Sequence, residues 1–497
     1  MRQTEPHSLK LKVVNGIIWN VIELVINRGF AFAIKLVLAK LLFPEQFGLV
    51  GMATVFASFV QVFNDIGIGA ALVQRKDEDL EEIHLHTAFW TGLVWSVGIY
   101  IIMVFIVAPL AASFYKEPVL RSIVPVMSLG VLSSPVNLVH KAQLTRQMMF
   151  KKLAFISNLS NIFSGVIALV LAFWGAGIWS LVFNSVASFV IAMPLFFSAT
   201  KWVPKLRWDK QAFHDVFGFG VYTTGTNVFN NLISKLDYLL IGKLLSASAL
   251  GVYTLAFVLT DTFRSQIMNM INKVMYPVYG KKQDSPDLIR KYYLKTITYN
   301  SVCIYPVMVF FIVLGEPFIF GFFGERWSGS IIPLKALALS VMIHMLINSH
   351  GSLIRGIGKP KLEMNLQLFK AFCLYAPLIS LGIYKYGIVG AAWSFVVTKA
   401  AEVVLAQYYL KKLIDVSYKD LFLSIRGPLL ASIVAALLSY LLYILQVHYM
   451  LCALGLAASY GAMIWLLMGK ELKLQFKEVK RGKKQGAKEL KEVAQVV

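Results

Sequence analysis

Apolar runs long enough to cross a lipid bilayer recur from one end of the chain to the other. A spanning helix needs about 20 apolar residues, and about 14 such runs can be read by periodicity and length. They lie near 13–42, 46–73, 86–113, 118–141, 153–174, 177–199, 213–245, 249–279, 293–322, 330–353, 362–384, 387–410, 427–446 and 449–468. The runs are continuous rather than alternating, which excludes a β-barrel. The chain is 58% hydrophobic and 15% charged, with a mean hydropathy of +0.67; a soluble protein would carry about a quarter charged residues. The expected fold class is therefore an all-α polytopic membrane protein with about 14 transmembrane helices. The N-terminal MRQTEPHSLKLK is polar and leads into a run longer than a signal-peptide core, so no cleavable signal is expected.

The formal net charge is +22. In a soluble chain that would suggest nucleic acid, but here the cations sit mostly in short segments between apolar runs. KAQLTRQMMFKK (141–152), TKWVPKLRWDK (200–210) and GKKQDSPDLIRKYYLK (280–295) alternate with the nearly uncharged FPEQFG (43–48), WGAG (174–177) and SASALG (246–251). The positive-inside rule places the basic set and both termini in the cytoplasm. The C-terminal KELKLQFKEVKRGKKQGAKELKEVAQVV (470–497) reads as a basic tail attracted to anionic membrane lipid. No nucleic-acid partner is expected. The uncharged outer connectors are too short to hold a catalytic domain that polymerises or ligates sugars.

The chain also repeats itself. AKLLFPEQFGLVGMATVF (39–56) aligns without gaps on GKLLSASALGVYTLAFVL (242–259), so that Lys40 falls on Lys243 and Gly48 on Gly251. GAGIWSLVF (175–183) falls near KYGIVGAAW (385–393). Spans 1–6 and 7–12 thus read as two parallel-repeat lobes, 1–205 and 206–412, followed by two extra spans in 413–469 and the tail 470–497. Parallel repeats of this kind suggest a transporter that works one lobe against the other.

Charged residues inside the spans carry the ligand reading. A cation at mid-bilayer costs about 2.5–3.5 kcal/mol on insertion scales, so it should face protein or a wet cavity. Arg28 and Lys35 stand seven apart and share one helical face, beside Asn20, Glu23 and Asn27. Span 7 repeats the polar face with Asn227, Asn231, Lys235 and Asp237, while spans 2 and 8 add Gln61, Asp65, Asp261 and Arg264. Internal pairing is the simpler reading for the acids: Asp261 with Arg264, Asp65 with Arg28, Asp237 with Lys235. Across spans 1, 2, 7 and 8 the cations slightly outnumber the acids. A cationic, amide-rich cavity suits an anionic, hydroxyl-rich ligand, because Lys and Arg match phosphate oxygens and amides match sugar hydroxyls. Arg28, Lys35 and Lys235 are the candidate anion contacts. Asn27, Asn227, Asn231 and Gln61 are candidates for hydroxyls. Glu23, Asp65, Asp237, Asp261 and Arg264 are candidates for ion coupling or for tuning the cations.

Other chemistry is not expected. Cys303, Cys373 and Cys452 lack metal-ligand spacing and read as packing residues. His84-x-His86 is a weak metal motif in an acidic connector, and no P-loop is present. Neither a cofactor nor a metal is expected, and the chain does not read as an enzyme.

EQFGLVGMATVFASFVQVFNDIGIGAALVQRKD (45–77), AQLTRQMMFKKLAF (142–155), LDYLLIGKLLSASALGVYTLAF (236–257), YPVYGKKQDSP (276–286) and FGERWSGSIIPLKALAL (323–339) resemble the Wzx-type polysaccharide transporter family. That family lies within the multidrug/oligosaccharidyl-lipid/polysaccharide exporter superfamily, and the resemblance covers roughly 20–410. It implies two six-helix lobes in a V and a flippase of the bacterial cytoplasmic membrane. It further implies undecaprenyl-pyrophosphate-linked oligosaccharide as the substrate, with Arg28 and Lys35 on the pyrophosphate, and polysaccharide polymerase machinery as a partner. Asn231, the repeat mate of Arg28, is an amide, so a clamp of equal cations from both repeats is not expected. A drug/cation antiporter of the same superfamily and a non-transporting scaffold of a polysaccharide assembly complex are the alternatives. The surplus of cations opposes the first, and the second predicts that the cavity charges are dispensable. A monomer is expected, since one chain supplies both lobes.

Overall fold

The structure of the protein, a computed structural model, describes residues 27–64, 68–75, 79–217, 235–283 and 285–470. The described residues are helical almost throughout, and no strand occurs among them. Nine helices among them are long and apolar enough to cross a membrane, from Glu82–Tyr115 to Tyr449–Lys470. Several run past the apolar stretch that announces them. The run expected at 293–322 belongs to a helix over Pro286–Phe323. Its added first turns carry Arg290, which binds Asp420 at 2.7 Å. Apolarity stops at the bilayer edge, whereas backbone hydrogen bonding does not.

Two compact units make up the chain, one drawn from Met1–Leu255 and Ile379–Ala391, the other from Ala256–Leu378 and Ala392–Val497. Within the first, Leu72, Val139, Leu144 and Ile156 form a buried core between the helices Ile68–Gln74, Ser134–Arg146 and Phe150–Phe173. Within the second, Tyr418–Ile444 and Tyr449–Lys470 pack on Pro286–Phe318 through Val309, Ala431, Ala435, Leu456 and Tyr460. The Tyr460 hydroxyl donates to the Val302 carbonyl at 3.0 Å.

Positions a little over 200 residues apart share local geometry. Gly177 (φ 57°, ψ −126°) and Gly387 (φ 58°, ψ −138°) turn the chain between helices with nearly the same backbone. A positive φ of this kind favours glycine, which has no Cβ to clash. Gly387 divides the helical stretch Pro360–Ile414 into two segments. A π-helical turn at Met103–Val107 recurs 216 residues on at Ile319–Phe323. A 3₁₀ break at Leu129–Ser133 recurs at the same interval at Met345–Ile347.

The repeat-aligned helix starts also pack on each other. A Cβ on Gly48 would lie 1.7 Å from the Ala247 carbonyl oxygen, and one on Gly251 would lie 1.7 Å from that of Pro44. Pro44-x-x-x-Gly48 therefore faces Ala247-x-x-x-Gly251 reciprocally, as in the small-residue crossings that let membrane helices approach closely.

Polar connectors are tied down locally. The Arg75 guanidinium binds Asp215 at 2.8 Å, and His84 approaches the same carboxylate at 3.4 Å. The hydrogen bond from Arg75 holds the Asp215 carboxyl below the usual carboxylate range. His86 accepts the Lys205 backbone N–H at 3.1 Å and stacks on Trp202. The two histidines thus serve separate structural contacts.

Candidate functional site

Residues 27–41 form one helix. Its spacing of Arg28, Ala31 and Lys35 puts them on one face, and that face lines a cavity of about 750 Å³ in the first unit. The remaining wall is drawn from four further helices. Thr54 and Ser58 come from Pro44–Asn64, and Met127 from Leu120–Ser128. Asn161 and Ser164 come from Phe150–Phe173, and Asn184, Ser185 and Ser188 from Ile178–Thr200. The lining thus mixes hydroxyls, amides and two cations with the apolar Ala31, Ile34, Ala57, Met127 and Phe189. A second cavity of about 790 Å³, walled by Trp90, Trp95, Trp208 and Phe213, is nearly all apolar and offers an anion only Arg207.

Arg28 and Lys35 have no ion-pair partner among the described residues. Lys235, the third candidate anion contact, is not among the residues that line this cavity. It sits 5.1 Å from the centre of the Tyr238 ring.

Asn27 points elsewhere. Its amide nitrogen donates to Ser157 Oγ at 3.0 Å, and its oxygen accepts from Asn161 at 3.0 Å. Ser188 donates in turn to Asn161 Oδ1 at 3.0 Å. This ladder orients helix 27–41 against Phe150–Phe173 and Ile178–Thr200, and with it the direction in which Arg28 and Lys35 face. Asn161→Ala removes two interhelical bonds and is expected to cost about 1 kcal/mol, read as a melting temperature lower by a few degrees in detergent. An unchanged melting temperature would remove the ladder from the account of how the helix is oriented.

The acids fall in separate places. Asp237 is buried and accepts the Tyr253 hydroxyl at 3.0 Å, rather than pairing with Lys235. The sequence offered that pairing because the two are close along the chain, but side chains two apart on a helix point in different directions. Asp261 pairs with Arg264 in the second unit, with Arg264 Nε 2.9 Å from Asp261 Oδ1. Glu23, Asp65, Asn227 and Asn231 lie outside the described residues, as does the side chain of Gln61.

One charged cluster was not anticipated. In the second unit Glu402 is buried with Lys399 at 2.7 Å from Oε2 and Lys370 at 3.2 Å from Oε1. His344 Nδ1 approaches Oε2 at 3.7 Å, and the Tyr375 hydroxyl donates to the same oxygen at 3.4 Å. The signal was present as Lys370, the pair Lys399 and Glu402, and His344 within three apolar runs outside spans 1, 2, 7 and 8.

The family described as "Polysaccharide biosynthesis protein" matches residues 37–332. The chain is 24% identical to the teichuronic acid biosynthesis protein TuaB of Bacillus subtilis, covering 82% of this chain and 85% of that one. It is also 24% identical to the lipopolysaccharide biosynthesis protein WzxC of Escherichia coli, with 88% of each chain covered. The succinoglycan biosynthesis transport protein ExoT of Rhizobium meliloti is 23% identical, with 92% of each covered. Among solved structures, the lipid II flippase MurJ superposes with a TM-score of 0.69 at 13% identity, covering 92% of this chain and 100% of that one. A multidrug resistance MATE family transporter follows at 0.59 and 14% identity, with 81% and 99% covered. These two share the fold. With its family matched over more than half its length, the chain belongs to the polysaccharide biosynthesis protein family, as a multi-pass membrane transport protein.

Proposed function

We propose that the protein flips polyprenyl-pyrophosphate-linked oligosaccharide units from the cytoplasmic to the outer leaflet by alternating access. The observation that carries this reading is the cavity that holds Arg28 and Lys35 together with Asn161, Asn184, Thr54 and four serines in a partly apolar wall. Guanidinium and ammonium groups match the oxygens of a pyrophosphate. Amides and hydroxyls match sugar hydroxyls. The polyprenyl tail stays in lipid. The fold shared with the lipid II flippase MurJ, and relatives named for lipopolysaccharide biosynthesis and succinoglycan biosynthesis transport, support the same substrate class.

In this reading the repeats 1–205 and 206–412 are the moving lobes of a 14-span protein, with 413–469 as two added spans. The termini lie in the cytoplasm of a bacterium and the chain in its inner membrane. An inside-negative potential favours outward passage of an anion by about 2.3 kcal/mol per charge per 100 mV. A pump for organic cations would meet repulsion from Arg28 and Lys35.

The test uses purified protein in vesicles with an undecaprenyl-pyrophosphate-linked oligosaccharide in one leaflet, scored by a lectin that cannot cross the membrane. Transfer to the other leaflet at a rate above protein-free vesicles is the expected result. No transfer, with an organic cation transported instead, would replace this reading with the antiporter.

A further inference from the structure

The apolar cavity of the first unit opens beside a basic connector, residues 201–209, that joins Ile178–Thr200 to Lys210–Phe217. The connector has no helix of its own, yet the start of helix Glu82–Tyr115 holds it in place. His86 accepts the Lys205 N–H, and the Trp90 indole donates to the Lys205 carbonyl at 2.7 Å. The Thr91 hydroxyl accepts the Trp208 indole N–H at 3.1 Å, and the Thr87 hydroxyl accepts the Asp209 N–H at the same distance. Both indole N–H groups are thus satisfied by protein, which leaves the rings to wall the cavity. Between these anchors the connector presents Leu206, which is 86% exposed, and the exposed Arg207.

The cavity continues along the helix. Val94, Gly98 and Ile102 stand four apart and form one exposed row of its wall. A Cβ on Gly98 would meet nothing within 4 Å, so this glycine leaves the middle of the cavity open. From Thr91 to Ile102 the helix rises about 17 Å, and the hydrocarbon of one leaflet is about 15 Å thick. The cavity therefore runs from the basic connector to the middle of the bilayer.

Charge at the connector end is one-sided. Lys201, Lys205, Arg207 and Lys210 stand there with the single acid Asp209. Asp209 Oδ1 accepts the Ala212 N–H at 2.8 Å. Glu82, the other acid close by, is approached by Lys205 and by His86, each at 3.5 Å. Arg207 lines the cavity and has no ion-pair partner among the described residues. Tryptophan rings and cations at this depth suit the headgroup level of a membrane.

We propose that this cavity binds an anionic phospholipid from the leaflet that the basic connector faces. One acyl chain lies along Val94, Gly98 and Ile102, and the headgroup phosphate meets Arg207. The guanidinium offers paired N–H donors to phosphate oxygens. A zwitterionic headgroup would bring a cation of its own beside Lys205 and Arg207, so a net negative one is preferred. The wall ends at Ile102, which suits a chain of one leaflet's length rather than a polyprenyl chain. This cavity shares no lining residue with the one that holds Arg28 and Lys35, so the site stands whatever the transported substrate is.

The test adds phosphatidylglycerol or phosphatidylcholine to the full-length protein in detergent and counts bound lipid by native mass spectrometry. The wild type should hold one phosphatidylglycerol more tightly than any phosphatidylcholine. Arg207→Gln should weaken that binding about fivefold, the effect of one basic residue at a membrane surface. Gly98→Leu fills the middle of the cavity and should weaken it about tenfold, as exclusion of roughly two methylene groups would. Gly461→Leu is the control for added surface bulk, since a Cβ there also meets nothing within 4 Å, and it should bind as the wild type does. A melting temperature of Gly98→Leu near that of the wild type shows that the variant is folded. Equal binding of phosphatidylglycerol by the wild type and folded Gly98→Leu would overturn the proposal. So would unchanged affinity in Arg207→Gln, or equal affinity for the two lipids. Displacement of the bound phosphatidylglycerol by equimolar undecaprenyl phosphate, absent in Gly98→Leu, would also overturn it and assign the cavity to a polyprenyl chain.

Discussion

Arg28→Ala is expected to lower export of lipid-linked oligosaccharide about 30-fold at matched membrane levels, with the units accumulating in the cytoplasmic leaflet. A hydrogen bond between charged groups is worth about 2 kcal/mol, and about 1.4 kcal/mol is a factor of ten. Arg28 lines the cavity and has no carboxylate partner among the described residues, so its removal strands no internal acid there. Arg28→Lys keeps the charge but loses the planar fork that binds two oxygens at once, and partial export is expected. Unchanged export with alanine would make Arg28 a structural residue and move the anion contact to Lys35.

Gly48→Ala should unfold or block the protein although it adds a single methyl group. The new Cβ would meet a backbone oxygen at 1.7 Å, and no rotamer change relieves a clash with main chain. Overpacking typically costs about 1–3 kcal/mol, and the upper end applies where neither helix can yield. Gly251→Ala, the reciprocal change, should cost the same. Gly461→Ala is the control, since a Cβ there meets nothing within 4 Å. Melting temperatures of the three variants in detergent decide the matter. Equal stability of Gly48→Ala and Gly461→Ala would mean that the two helix starts are not in close contact.

The helices were legible in the sequence because the membrane demands that every backbone group be bonded within its own segment. That makes a long apolar run and a helix nearly the same statement. Their extents were less so: the run read at 86–113 proved to be Glu82–Tyr115, its first turn polar and outside the apolar signal. The shared face of Arg28 and Lys35 was legible too, since seven residues are close to two helical turns. The place of Asn27 was not. Beside two cations it read as a ligand contact, whereas Ser157 and Asn161, more than a hundred residues on, take its hydrogen bonds.

The sequence by itself determined an all-helical membrane protein and the cationic face of its first described helix. Both are written in spacings between residues near one another. Only the tertiary structure decided that Gly48 and Gly251 mates meet reciprocally, that Asp237 answers to Tyr253, and that Lys370, Lys399, His344 and Glu402 share one buried site. Helical periodicity is a local property. The partner of a buried charge is set by which helices pack together, and in this chain those helices lie far apart in sequence.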